Sequence, residues 1–260
     1  RYRSTRNTRA RQLLTELMPV LLKSLGGTAN PDQAFLRFNE FLAGLPAGIQ
    51  LFSMFHSNPH LLELVAEIMG EAPKLARHLS QKPFILDSVL DPGFLDAPPS
   101  PDELRRDLEA ILQQAKYVED ILDATRRWAN DHWFQVGVQS LRGHQQPQTT
   151  AEALSDIAEC CVDLLNSAMA EEFSHRHGVV PGSEMIVLGL GKLGGREMTS
   201  TSDLDIIFIY KAPADAKNSD GPKPLALTLY FARLSQRVIN SITAQTSEGR
   251  LFEVDMRLRP

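Results

Sequence analysis

Residues 184–210 read EMIVLGLGKLGGREMTSTSDLDIIFIY and contain two apolar runs separated by a glycine-rich segment. The first run, residues 185–188, is followed by glycine and has the length and composition of a buried strand. The second, residues 203–210, begins with Asp-Leu-Asp and continues with β-branched and aromatic residues, which favour a strand. The stretch therefore predicts two strands joined by a glycine-rich loop.

The glycine spacing in this loop also suggests a dinucleotide-binding domain. Gly189, Gly191 and Gly194 match the Gly-x-Gly-x-x-Gly fingerprint and follow a strand. A Rossmann unit, however, needs a crossover helix of about a dozen residues before its next strand. Only residues 195–202 are available, and half of them are Ser or Thr. A P-loop is excluded because no Gly-Lys-Ser/Thr follows. We therefore expect the two strands to be antiparallel neighbours.

The long region before this stretch is predicted to be helical. From residue 7 to about 178, apolar residues recur at three- and four-residue spacing. Helix starts are indicated at Asn30-Pro31, at Asn58-Pro59, at Ser100 with Glu103, and at Thr149 with Glu152. The tract 97–99, Ala-Pro-Pro, suggests a boundary. We expect a helical subdomain over 1–97, helices leading into the catalytic module over 98–180, and a sheet core over 181–260.

After the second strand, the pattern predicts a loop, a helix and a further strand. Residues 211–224 are polar and rich in Pro, Gly and Asp, residues 225–243 form an amphipathic helical pattern, and residues 251–258 alternate apolar with polar side chains. The predicted fold class is α+β, with a large helical region followed by a small mixed or antiparallel sheet.

Composition limits the classes of function. The chain has 260 residues, 43% of them hydrophobic, a formal net charge of -5 and a pI near 5.8, which argues against a broad nucleic-acid-binding surface. No apolar run is long enough for a membrane span. The two cysteines, Cys160 and Cys161, are adjacent in a helical pattern and are predicted to be buried in a protein of a reducing, cytoplasmic compartment. Because the chain begins with Arg1, we interpret it as part of a longer polypeptide.

Three carboxylates are candidates for metal binding. Asp203 and Asp205 project from the same face of the predicted strand, about 6–7 Å apart at their backbones, and two carboxylates at this spacing can hold a pair of Mg²⁺ or Mn²⁺ ions. Leu204, Ile206 and Phe208 would occupy the other face. In FEVDMRL, residues 252–258, Asp255 projects with Glu253 and Arg257, and it can supply a third ligand or accept a proton. The alternative for both strands is a solvated surface with ion pairs.

The glycine loop supplies candidate phosphate contacts. Glycines let the backbone approach a triphosphate closely, cationic side chains neutralise charge on a phosphoryl group, and a hydroxyl can donate to a phosphate oxygen. The alternative is a tight turn lined with polar residues. The candidate nucleotide-binding residues are Gly191, Lys192, Gly194, Gly195, Arg196 and Ser202.

Two of these segments resemble a known enzyme family. LGLGKLGGREMTSTSDLDIIFIY and FEVDMRLRP, together with YFARLSQR at residues 230–237, are similar to the bifunctional glutamine synthetase adenylyltransferase/deadenylyltransferase family. That family belongs to the DNA polymerase β-like nucleotidyltransferase superfamily. The resemblance extends more loosely over the helical region, through FLRFNEFLAGL and residues 61–92.

The resemblance implies a reaction and its participants. Asp203, Asp205 and Asp255 would bind two Mg²⁺ or Mn²⁺ ions, and Gly191 and Lys192 would bind the phosphates of ATP with Ser202 close by. The superfamily loop usually reads Gly-Ser or Gly-Gly, so Lys192 departs from it. A tyrosine hydroxyl of glutamine synthetase would attack the α-phosphorus of ATP, with Asp255 as general base, under regulation by a PII-type signal protein.

Two alternatives remain open beside this interpretation. The segment GREMTSTSDLD resembles the C-terminal, adenylylating half of such enzymes. The deadenylylating half carries a similar carboxylate set. The alternative of another class is a helical interaction module whose sheet only senses nucleotide. The three carboxylates favour an enzyme, because a sensor has no need of all three.

Overall fold

The computed structural model describes residues 2–256 of the chain. These residues form two compact units, one of residues 2–96 with 137–145 and the other of residues 97–136 with 146–256. In this described part, every helix is too short or too polar to cross a bilayer. The ranges 1–97, 98–180 and 181–260 stay a prediction of domain organisation.

The first unit is built from five helices and short 3₁₀ turns. The helices are α1 (Thr8–Gly26), α2 (Pro31–Gly44), α3 (Ile49–Ser57), α4 (Pro59–Glu71) and α5 (Pro73–Gln81). Asn30 caps α2 as predicted, since its side chain accepts from the amide of Gln33. The helix start predicted at Asn58-Pro59 is confirmed, because Asn58 is the N-cap residue of α4 and Pro59 is the first residue of the helix. Asn58 also ends α3, and its side-chain amide donates back to the carbonyl of Met54 at 3.1 Å instead of accepting from α4.

The second unit contains the remaining elements. They are α6 (Pro101–Leu112), α7 (Val118–Leu141, whose residues 137–141 belong to the first unit), α8 (Pro147–His177), β1 (Glu184–Gly189), α9 (Gly191–Gly194), β2 (Leu204–Lys211), α10 (Leu227–Thr243) and β3 (Val254–Asp255). Ser100 and Glu103 form the predicted capping box at α6. Helix α8 begins at Pro147, two residues before the predicted start at Thr149, because proline has a backbone angle that suits the first helical turn.

The sheet has the order β1-β2-β3 and mixed direction. Strands β1 and β2 are antiparallel, with Ile186 opposite Ile209, which confirms the predicted pairing and excludes the Rossmann crossover. Strand β3 lies parallel to β2, with Asp255 opposite Asp205. The mostly helical chain with this small sheet confirms the α+β class.

The strand predicted over 251–258 is shorter in the structure. Leu251 and Phe252 are buried in the core and precede β3, and Phe252 packs edge-on against Trp133 with ring centroids 5.3 Å apart. Both side chains point into the core and do not alternate between core and solvent, so β3 begins later than the sequence pattern suggested. Arg257 and Leu258 lie outside the described residues.

The core of the second unit covers one face of the sheet. Leu204 and Ile206 on β2 are buried among residues of α8 and α10, and Phe208 is half-buried against the same cluster, as the alternation predicted. Cys160 and Cys161 are buried free thiols in α8, as expected. Burial raises the pKa of Cys160 to about 11 and that of Cys161 well above its ordinary value.

Candidate functional site

Two neighbouring strands bring the three predicted carboxylates together. Asp203 immediately precedes β2 and is exposed, whereas Asp205 on β2 and Asp255 on β3 are half-buried. The parallel pairing places Asp205 directly opposite Asp255. One carboxylate oxygen from each residue lies within 4.8 Å of the others. Residues that are about fifty positions apart in the sequence therefore form one acidic cluster.

The donor set of this cluster fits a divalent cation. Carboxylate oxygens are the ligands that Mg²⁺ and Mn²⁺ prefer, and three of them lie close enough together to share one cation. Negative charges this close repel one another, and a bound divalent cation compensates that repulsion. Asp203, Asp205 and Asp255 are therefore the residues that could hold a metal ion, in agreement with the ligand set that the resemblance implied.

The glycine loop lies directly against this cluster. The amide of Leu190 donates to the main-chain carbonyl of Asp205 at 2.8 Å. Gly191 has φ +51°, and a Cβ built there would lie 2.3 Å from Asp205 Oδ2. At Gly194, a Cβ would lie 2.6 Å from the carbonyl oxygen of Gly189. Both positions require glycine, because the backbone of the loop packs against the carboxylate and against itself.

The loop forms one helical turn, α9, whose amides divide into two groups. Gly194 and Gly195, both predicted to contact nucleotide, donate their amides within the turn, to Leu190 and Gly191 at 3.0 and 2.9 Å. By contrast, the amides of Gly191, Lys192 and Leu193 donate no hydrogen bond to any residue from 2 to 256. The first amides of a helical turn have no partner inside the turn. This rule could have identified the amide of Leu193 as a candidate phosphate donor, which the sequence motif did not.

The two cationic residues of the loop differ in their surroundings. Lys192 is exposed, and its ammonium has no described ion pair. Arg196, which has φ +56°, places its guanidinium 2.7 Å from the carboxylate of Asp156 on α8. Asp156 is mostly buried and was not identified from the sequence, because it lies far earlier in the chain. The structure therefore ties Arg196 to α8, and its contact with a phosphoryl group stays a prediction.

Ser202 forms a local turn just before the carboxylates. Its hydroxyl oxygen accepts from the amide of Thr199 at 3.0 Å and lies 2.9 Å from the hydroxyl of Thr199. Its own amide donates to the carbonyl of Thr199 at 3.1 Å. The residue is buried, so it shapes the entry into β2 at Asp203. A hydrogen bond from Ser202 to a phosphate stays a prediction.

Similarity to known proteins agrees with this geometry. Residues 62–260 match the family model of glutamate-ammonia ligase adenylyltransferase. The chain belongs to this family. The bifunctional glutamine synthetase adenylyltransferase/adenylyl-removing enzymes of Mesorhizobium japonicum and Brucella melitensis are 46% and 45% identical to it over the whole of this chain. The chain spans 26% of the length of each of these relatives. The resemblance recognised from the two motifs is thereby confirmed.

Proposed function

We propose that this member of the glutamate-ammonia ligase adenylyltransferase family transfers AMP from ATP to a tyrosine hydroxyl of glutamine synthetase. The observation that carries the proposal is the convergence of Asp203, Asp205 and Asp255 within 4.8 Å, directly beside a glycine loop whose amides at positions 191–193 donate to none of residues 2–256. A cation site next to amide donors suits a nucleoside triphosphate, whose phosphates need both. The names of the relatives support glutamine synthetase as the acceptor.

The residues of the site have separate tasks in this reaction. The phenolic oxygen attacks the α-phosphorus in line, the bond from that phosphorus to the bridging oxygen breaks, and pyrophosphate leaves. Asp255 accepts the phenolic proton. The amides of Gly191 and Leu193 and the ammonium of Lys192 hold phosphate oxygens and stabilise their charge. Bound Mg²⁺ or Mn²⁺ supplies Lewis-acid neutralisation of the phosphoryl charge.

The direction of transfer and the setting of the reaction belong to the same proposal. The segment GREMTSTSDLD, at residues 195–205, favours the adenylylating half of such enzymes over the deadenylylating half. The proposal includes regulation by a PII-type signal protein, which the family resemblance supports. It also includes a cytoplasmic location, which the free, buried cysteines support.

The first experiment is calorimetric titration of Mn²⁺-ATP into the chain, with NADH as the control ligand. We expect binding that requires Mn²⁺ and is lost in the Asp203→Asn/Asp205→Asn variant. The matched control is Glu253→Gln, which neutralises an exposed carboxylate next to the cluster without removing one of its members. ATP binding that survives the double substitution, or binding of NADH alone, would exclude the proposed site.

A second experiment decides between the directions and classes of activity. Label transferred from α-labelled ATP to glutamine synthetase identifies the adenylylating half. Release of ADP from adenylylated glutamine synthetase with inorganic phosphate identifies the deadenylylating half. Metal-dependent ATP binding with neither reaction identifies a nucleotide-sensing module and contradicts the proposed transfer.

A further inference from the structure

Arg126 is a fully buried arginine that binds several main-chain carbonyl groups. It lies in the middle of α7, and its exposed fraction is 0%. Its Nε donates to the carbonyl of Gly249 at 2.9 Å, and one terminal nitrogen donates to Ser241 and Ala244 at 2.9 and 2.7 Å. The other terminal nitrogen donates to Leu122 on its own helix at 3.0 Å. One planar group thus joins α7 to both ends of the turn between α10 and β3, residues 244–249.

The chemistry of this contact requires a guanidinium group. The last carbonyls of a helix have no partner inside it, and the C-terminal end of α10 is buried at Ser241 and Ile242. Arg126 satisfies these groups and places a positive charge at the negative end of the helix dipole. Arginine keeps its charge when buried, and its donors form a fixed fork. A lysine carries its three donors on one atom and cannot reach both sides of the turn.

Further side chains of α7 contact the same turn. Ser247 donates its hydroxyl to the carboxylate of Asp123 at 3.1 Å, and Arg127 lies 3.3 Å from the carboxylate of Glu248. The turn itself is closed by mutual hydrogen bonds between Thr246 and Gly249 at 3.1 Å. The turn is therefore held from one side by a single helix, with Arg126 as its buried centre.

The turn leads directly to the third carboxylate. Asp255 lies six residues after Gly249, on a strand that has two residues in the described range 2–256 and pairs with β2. The carbonyl of Glu253 accepts from the amide of Leu204 at 2.9 Å, which is the adjoining contact of β3 with β2. Among residues 2–256, the turn that precedes β3 and the pairing with β2 together fix the position of β3.

We propose that Arg126 is a positioning residue of the carboxylate cluster. By binding the turn of residues 244–249, it sets where β3 begins and thereby holds Asp255 opposite Asp205. It does not touch the reacting atoms. This inference rests on the proposed function in one respect, namely that the cluster binds a metal ion.

The test measures Mn²⁺ affinity and the position of β3 in the same variants. In Arg126→Lys, we expect Mn²⁺ to bind roughly 10- to 100-fold more weakly, as when other residues that orient metal ligands are replaced. Hydrogen exchange at the amide of Leu204 should accelerate, because this amide reports the contact with Glu253. Leu108→Ala, in the core on α6, is the control for a general loss of stability. We expect it to leave the Mn²⁺ affinity and the exchange rate at the Leu204 amide unchanged.

A double-mutant cycle tests whether Arg126 acts through Asp255. The Mn²⁺ affinity of Arg126→Lys/Asp255→Asn should equal that of Asp255→Asn alone, because the ligand that Arg126 positions is already lost. Effects that multiply in the double variant would overturn the proposal. Gly249→Ala, which alters the same turn, is the second test variant if Arg126→Lys does not fold. Its φ of +97° disfavours a side chain although no atom lies within 4 Å of the added Cβ, and we expect the same losses.

The failure of this inference and that of the proposed function are distinguishable. If the native chain binds no Mn²⁺, the metal site is refuted, and exchange at Leu204 alone decides the role of Arg126. Faster exchange in Arg126→Lys or Gly249→Ala, and not in Leu108→Ala, supports the positioning role. Unchanged exchange at Leu204 in the folded variants overturns it, whatever the metal affinity.

Discussion

Gly191 and Asp205 are packed so closely that position 191 has no room for a side chain. A Cβ there would lie 2.3 Å from Asp205 Oδ2, and the residue has φ +51°. The phosphate loop and one member of the carboxylate cluster are therefore a single structural unit. A change in the loop backbone must therefore move the carboxylate.

Replacement of Gly191 by alanine should abolish the site while leaving the fold in place. The added methyl group displaces the carboxylate of Asp205, and its left-handed backbone costs about 1–2 kcal/mol. We expect Mn²⁺-ATP affinity to fall at least roughly tenfold, measured by calorimetry. Gly143→Ala is the matched control, since Gly143 has φ +69° but open space around it. Equal losses in both variants would contradict the role of the close contact.

The ion pair between Arg196 and Asp156 should stabilise the glycine loop. Asp156 is mostly buried and Arg196 is about half exposed, so removing either partner should lower the free energy of unfolding by about 1–2 kcal/mol. The losses in Arg196→Ala and Asp156→Asn should not add in the double variant, as measured by urea denaturation. If Arg196→Ala lowers ATP affinity and leaves stability unchanged, the guanidinium contacts the nucleotide instead.

Divalent cations should raise the thermal stability of the chain through the carboxylate cluster. A ligand that binds only the folded state at about 100 times its dissociation constant adds about 2.7 kcal/mol to the free energy of unfolding. We expect Mn²⁺ to raise the melting temperature of the native chain and of Glu253→Gln, but not of Asp203→Asn. A melting temperature that rises equally in all three would place the cation elsewhere.

We expect the stabilising contribution of Asp123 to the second unit to be lost in acid. The hydroxyls of Thr246 and then Ser247 lower the pKa of this carboxyl group below its ordinary value near 3.8. The lowered pKa adds stability above the unfolded-state pKa, and this contribution is lost as the pH falls through the folded-state pKa. The difference in unfolding free energy between native chain and Asp123→Asn should therefore be largest above about pH 5 and shrink below pH 4.

Urea denaturation at a series of pH values measures this difference. Asp215→Asn serves as the control, because Asp215 is exposed and has no described hydrogen bond. A gap between native chain and Asp123→Asn that stays constant from pH 6 to about pH 2.5 would show that Asp123 has the same pKa in both states.

Local patterns in the sequence were sufficient to predict much of the fold. The antiparallel pair β1 and β2 followed from two apolar runs separated by too few residues for a crossover helix. The helix Leu227–Thr243 was predicted to within two residues at its start. The strand predicted over 251–258 was wrong at its start, because buried anchors replaced the alternating pattern at Leu251 and Phe252.

The sequence by itself determined that a glycine loop precedes two carboxylates on a strand, because these residues are neighbours in the chain and strand geometry sets their spacing. Only the tertiary structure decided that Asp255 lies opposite Asp205, that Asp156 binds Arg196, and that Arg126 binds the turn before β3. These contacts join residues far apart in the sequence. They depend on how helices and strands pack, and packing is set by many side chains at once and by no local pattern.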